Sequence, residues 1–254
     1  MRIIKSLIIP LIFFTFWCIG SALGSFNEFL LPSPLKVYAA GLELLQNGVL
    51  LPNIYTSLCR VLIGFFITVA FAFPLGILVG LNRRAQELLI APLDFLRHIP
   101  PLALTPLLIL WCGIGEASKL SVIILATFFP IFLNTVNGVS HCDSKLIEVG
   151  KVMGFSHTAI IGRIILPASM PSIMTGLRLG LGFSWRALIG AELLAAASGL
   201  GYMIIDAEQF SRTDIVIVGI LSIGILGYAM DLAFLWISKR IMPWQKEFTT
   251  NANY

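Results

Sequence analysis

The sequence predicts an all-α membrane protein of about six transmembrane helices, and three observations carry that fold class. First, 57% of the 254 residues are hydrophobic and only 12% charged, at a mean hydropathy of +0.92, whereas soluble domains carry about 25% charged residues. A soluble fold of that composition could not keep its surface wet. Second, long runs carry no charge: Ser6 to Asn27, Val61 to Asn82, His98 to Gly115, Leu120 to Ser140 and Ile215 to Met230. Most reach the length of about 20 residues that a helix needs to cross the hydrocarbon core. Third, the basic residues are distributed asymmetrically between the two ends of these runs.

A single domain over 1–254 is expected, with spans near 6–25, 59–81, 91–112, 119–139, 172–194 and 214–237. The first follows Arg2 and Lys5 as a signal peptide would. Its uncharged stretch exceeds a signal core of about 7–15 residues, so it reads as a retained span. Phe26 to Leu58 opens on Leu31-Pro32-Ser33-Pro34 and continues into a short helix around Leu35 to Gln46, expected at the outer interface. Pro74, Pro106 and Pro130 fall inside spans and predict kinks. Two G-x-x-x-G patterns, Gly76 to Gly80 and Gly176 to Gly180, call for close backbone approach, within one chain or at a dimer seam. Arg2, Lys5, Arg83, Arg84, Arg97, Lys145, Lys151, Arg163, Arg178, Lys239, Arg240 and Lys246 fall on one side, against Lys36, Lys119 and Arg212 on the other. Both termini are therefore expected in the cytoplasm. The same bias explains a pI near 9.0 without nucleic acid as a partner. Cys18, Cys59, Cys112 and Cys142 form no C-x-x-C pair and have no histidine at ligand spacing, so they read as lone apolar thiols and no metal site is expected.

The inner connection Val139 to Pro171 is amphipathic where a polar linker would be ordinary. Leu146, Val149, Val152, Met153, Ile160, Ile161 and Ile164 form an apolar stripe to be buried against the bundle, a partner protein or the membrane surface. The segment reads Glu148-Val149-Gly150, three residues, Gly154, nine residues, Ile164, one residue, Leu166-Pro167. This resembles the E-A-A-x3-G-x9-I-x-L-P motif of permease subunits in binding-protein-dependent ABC importers, departing from it at Val149 and Gly150. Matching its spaced residues by chance has odds on the order of one in several thousand at average residue usage. The spacing itself describes an elbow: a helix from near Leu146, a turn at Gly154, and a second helix running to Leu166-Pro167.

Further strings extend the resemblance over nearly the whole chain: Leu31-Pro32-Ser33-Pro34, Arg60-Val61-Leu62-Ile63-Gly64, Ile99-Pro100-Pro101-Leu102-Ala103, Gly113-Ile114-Gly115-Glu116, Ala191-Glu192 with Gly199-Leu200-Gly201, Arg212-Thr213-Asp214 and Pro243-Trp244. The chain is similar to the permeases that import nitrate, taurine and aliphatic sulfonates, most like the taurine and alkanesulfonate members. The resemblance implies a type I importer permease fold in a bacterial inner membrane, with Glu148, Val149, Gly150, Gly154, Ile164, Leu166 and Pro167 forming a coupling helix. It implies a second copy of the permease, two ATPase subunits, an external solute-binding protein and a small anionic cargo. No G-x-x-x-x-G-K-[ST] loop occurs in the chain, so ATP and Mg belong to the separate ATPase and no cofactor is expected here.

The fifth span holds charge. Arg178, Trp185 and Glu192 recur every seven residues and share a face, whereas Arg186 points about 100° away. Glu192 and Arg178 fall near opposite ends, within reach of interfacial water. Arg186 lies deep, where an arginine costs about 2.5–3.5 kcal/mol on insertion scales. It is either held in an ion pair or faces the cargo, with Ser184, Trp185 and Glu192 as further pathway candidates. Asp231 reads as a structural partner or a snorkelling charge. An intramembrane protease would need a nucleophile and base or paired aspartates at membrane depth, and the chain offers neither. A stand-alone channel or carrier would leave the elbow motif without a purpose.

Overall fold

Lipid satisfies no backbone N–H or C=O group, so an apolar chain closes its own hydrogen bonds as helices. The computed structural model describes residues 2–244, with side chains from Ile8 onward; the charges of Arg2, Lys5 and Lys246 lie outside the described residues. Among these residues, α3 (Leu50–Leu81), α6 (Glu116–Ser140), the helical run His157–Ala195 and α11 (Thr213–Ile241) are each long and apolar enough to cross a membrane. Ile8–Ala22, within α1 (Arg2–Ala22), is a shorter apolar helix.

The stretch 91–112, expected as one span, is broken. α4 (Arg83–Leu96) is followed by a 3-10 turn at Pro101–Leu104 and by α5 (Thr105–Cys112), with a bend of 76° across the break. Pro100-Pro101 is the cause. Neither residue has an N–H to donate, and each pushes its predecessor out of the helical region, leaving Pro100 extended at φ −62°, ψ 125°. Pro106, expected to kink a span, instead sits in the first turn of α5, where its missing N–H has no partner to lose.

The chain forms two compact units, Met1–Ser57 with Glu192–Ile225, and Leu58–Ala191 with Leu226–Tyr254. In the first, α2 (Pro34–Gln46) starts from Ser33, whose hydroxyl accepts the Lys36 N–H at 3.3 Å, with Pro34 in the opening turn. It buries Val37, Ala40 and Leu44 at helical spacing. Arg212 precedes α11 and donates to Asp214 at 3.0 Å and to Glu43 of α2 at 2.8 Å. Asp214, and then Glu43, hold its guanidinium above the ordinary pKa. These pairs are part-exposed and contribute at most about 1 kcal/mol each.

In the second unit, α6 packs against α3 on one side and, on the other, against α9 (Leu166–Ala195), the long final stretch of His157–Ala195. The two glycine patterns make this possible. A methyl at Gly76 would stand 2.7 Å from Thr135 Cβ, and one at Gly80 2.7 Å from Val139 Cβ. On the opposite face, a methyl at Gly176 would stand 2.8 Å from the Pro130 carbonyl, and one at Gly180 2.8 Å from Ile131 Cγ1. Both patterns are therefore spent on packing within one chain. Arg60 of α3 completes the α3–α6 contact, reaching both Glu116 oxygens at 2.6 Å, while Lys119 donates to the same carboxylate at 3.1 Å.

Candidate functional site: the elbow and the Arg186 cavities

α7 (Ser144–Val152) begins at Asp143, whose carboxylate accepts the Lys145 N–H at 2.9 Å. It ends in a turn that only glycine accommodates without strain. Gly154 has φ +74°, its N–H donates to the Lys151 carbonyl at 3.0 Å, and the Phe155 N–H donates to the Gly150 carbonyl at 3.0 Å. That double closure fixes the exit angle. Ser156 then caps α8 (His157–Ile160) by accepting the Ala159 N–H at 3.3 Å. A π-helical turn, Ile161–Ile165, joins α8 to α9, and in it the Leu166 N–H donates to the Ile161 carbonyl, one residue beyond the α-helical acceptor.

The apolar stripe divides between two jobs. Ile160 is buried with Val139 and Ile165, while Ile161, Ile147 and Phe155 pack against them. Leu146, Val149, Val152 and Met153 project outward, Val152 at 89% exposure. Glu148 and Gly154 are exposed, Ile164, Leu166 and Pro167 half-buried, and Gly150 buried. Gly150, which departs from the motif, sits where a Cβ would press on Ile164 Cδ1, so a glycine there matches a large Ile164. Burial, then the neighbouring Asp143 carboxylate, pushes the Cys142 thiol up in pKa, leaving it a poor nucleophile at neutral pH.

The four pathway candidates do not surround one point. Ser184 is fully buried and donates to the Leu181 carbonyl at 2.7 Å, the local bond that a helical serine makes by default. Glu192, expected to reach interfacial water, is 1% exposed. Ser57 Oγ lies 2.9 Å from both its oxygens, and the Gly201 N–H donates to Oε2 at 2.9 Å. The Leu200 N–H donates to Ser57 Oγ at 2.9 Å and the Gly199 N–H to Asn53 Oδ1 at 2.7 Å. Glu192, Ser57 and Asn53 thus satisfy the otherwise orphaned donors that open α10 (Leu200–Gln209), where a carboxylate also complements the helix dipole.

Arg186 is the exposed member, and among the described residues it has no ion-pair or hydrogen-bond partner. Its guanidinium lies 5.3 Å from the centre of the Phe183 ring. It borders two cavities. One, of about 540 Å³, is mostly apolar but includes Arg97 and Asn134 and is walled by the broken segment Ile99–Leu102, α6 and α9. The other, of about 220 Å³, is lined by Arg178, Gly182, Trp185, Gly227 and Asp231. There Arg178 donates from Nε and Nη2 to the two Asp231 oxygens, both at 2.7 Å. Asp231 is therefore a structural partner, and its partner is Arg178 rather than Arg186. Among the described residues, no group of three or more His, Cys, Asp or Glu side chains is placed to hold a metal ion.

A family model described as "Binding-protein-dependent transport system inner membrane component" matches residues 72–243. A putative aliphatic sulfonates transport permease protein of Bacillus subtilis is 37% identical over 244 residues, covering 96% of this chain and 88% of that protein. The taurine transport system permease protein of Escherichia coli is 35% identical, covering 92% and 86%. The bicarbonate transport system permease protein of Synechococcus elongatus is 31% identical, covering 91% and 86%. Among solved structures, the inward-facing MetNI methionine ABC transporter superposes with a TM-score of 0.67 at 18% identity, over 77% of this chain and 97% of that one. That likeness is one of fold.

Proposed function

Because this chain belongs to the family of inner membrane components of binding-protein-dependent transport systems, we propose that it passes a small oxyanion across the membrane beside Arg186. It is a permease subunit of an ABC importer and not an enzyme. The relatives named for aliphatic sulfonates, taurine and bicarbonate all handle small solutes bearing an oxyanion, which supports a cargo of that class.

The observation that carries this reading is Arg186 itself. An unpaired arginine deep in a span costs about 2.5–3.5 kcal/mol if it faces lipid, so its surface faces water or protein. We read that surface as the translocation path, enclosed by a second copy of the chain. The exposed residues Leu146, Val149, Val152 and Met153 are the docking face of the elbow for an ATPase subunit, which binds ATP and Mg. A solute-binding protein delivers cargo at the opposite side, and both termini lie in the cytoplasm. Arg186→Lys is expected to keep partial import and Arg186→Gln to lose most of it, with assembly and thermal stability unchanged in both. Removing one member of a buried ion pair would cost about 3–5 kcal/mol. Parallel loss of stability and import would therefore make Arg186 a structural residue and sink the reading.

A further inference from the structure

We propose that the smaller cavity beside Arg186 is set for a cargo carrying a single net negative charge, and that Asp231 is the residue that sets it. This rests on the reading of Arg186 as a cargo contact.

The cavity is walled by three charged side chains, Arg178, Arg186 and Asp231. Both Asp231 oxygens are taken by Arg178 at 2.7 Å, so that pair is neutral as a unit. Arg178 and Asp231 are 40% and 38% exposed, so the pair stands at the cavity surface, within reach of a dissolved ion. Arg186 contributes one positive charge that no ion pair compensates among the described residues, and its guanidinium lies against the Phe183 ring. Arg97, which shares the larger cavity with Arg186, does not line this one. The net charge is thus +1. A monoanion leaves the filled cavity neutral, a dianion leaves it at −1, and a zwitterion leaves it at +1. Low-dielectric walls make that remainder costly. At about 220 Å³ the cavity is smaller than the roughly 300–1,000 Å³ of drug-sized sites, which fits a solute of a few heavy atoms. Without the Asp231 carboxylate, Arg178 and Arg186 together would favour a dianion. Asp231 therefore acts as a fixed counter-ion that rejects divalent oxyanions.

The test titrates the permease–ATPase complex in nanodiscs with methanesulfonate and with sulfate at fixed ionic strength, reading the shift of the unfolding midpoint. Asp231→Asn raises the cavity to +2 and should move the affinity ratio about tenfold towards sulfate, the effect of one charge over about 8 Å at an effective dielectric of about 30. Arg178→Gln with Asp231→Asn returns the cavity to +1 and should bring the ratio back to the wild-type value. The double variant also removes the pair as a unit and strands no charge, so a ratio there that departs from the wild-type value overturns the proposal even where Asp231→Asn assembles poorly. An unchanged ratio in Asp231→Asn, or a double variant whose ratio does not return, overturns the proposal. A different pattern, in which Arg186→Gln leaves both affinities at wild-type values, overturns the underlying reading of Arg186 instead.

Discussion

Replacing Gly199 with alanine should damage the protein more than any other single methyl added in the loop ahead of α10. Gly199 has φ +110°, where a residue with a Cβ costs about 1–3 kcal/mol. The new Cβ would also fall on the Glu192 carboxylate, which has no room to retreat because Ser57 and the Gly201 N–H hold it in a buried site. Moving it breaks at least one charge-assisted hydrogen bond, at about 1.5–3 kcal/mol. The sum is about 2.5–6 kcal/mol, or roughly 5–24 °C in unfolding midpoint at the 2–4 °C per kcal/mol of a domain this size. Gly224→Ala in α11 is the control, because no atom lies within 4 Å of its Cβ position. There the same methyl should be neutral or stabilising by up to about 1 kcal/mol. Thermal unfolding of the two variants in one detergent decides the point: midpoints agreeing within about 2 °C would refute both the clash and the strain.

Gly76→Val should separate α3 from α6, since its Cβ position lies 2.7 Å from Thr135 Cβ and 3.1 Å from the Phe132 carbonyl; size-exclusion chromatography should report loss of the folded species. Gly154→Asp and Glu148→Lys should leave insertion nearly intact yet abolish import, and transport at the wild-type rate with normal ATPase association would show the elbow to be no coupling element. In a chain stripped of its native cysteines, Ser156→Cys should resist a membrane-impermeant maleimide in intact cells, while cysteines placed in 27–51 or 196–213 react. Strong labelling at residue 156 would reverse the topology.

What the sequence revealed was whatever is encoded locally. Charge-free runs announce helices in lipid because every backbone bond must close within the segment, and the elbow is legible because a left-handed turn selects glycine at one position, here Gly154. The break at 97–104 was present in Pro100-Pro101 but was masked by the hydropathy of the flanks. The fate of Ser184 was also local, since a helical hydroxyl returns to a carbonyl three or four residues back. The rest required tertiary structure. Glu192 meets a serine 135 residues away and Arg178 an aspartate 53 residues away, separations that no periodicity reports. Arg60 and Glu116 occur in strings that carry the family likeness, yet their mutual contact across 56 residues was not readable from either string.

The second arm of the elbow and Arg186 lie on one helical run, His157–Ala195, so a displacement of the elbow has a helical path along which to reach the cavity. The run contains a π turn at Ile161–Ile165, immediately ahead of Pro167. Pro167 has no N–H for the Arg163 carbonyl, and its ring crowds that carbonyl, so a regular α-helix through 163–167 would cost about 3 kcal/mol. The π turn relieves this by shifting the Leu166 N–H to Ile161, which sets the rotation of α8, and with it the elbow, about the α9 axis. Pro167→Ala restores the donor and removes the reason for the shift. The helix should then regularise, thermal stability should hold or rise, and the docking face of α7 should turn out of alignment with its partner. The expected result is a complex that still hydrolyses ATP but moves less solute per ATP in proteoliposomes. Wild-type stoichiometry of solute to ATP in Pro167→Ala would show that the π turn is only an accommodation of the proline and sets no part of the coupling geometry.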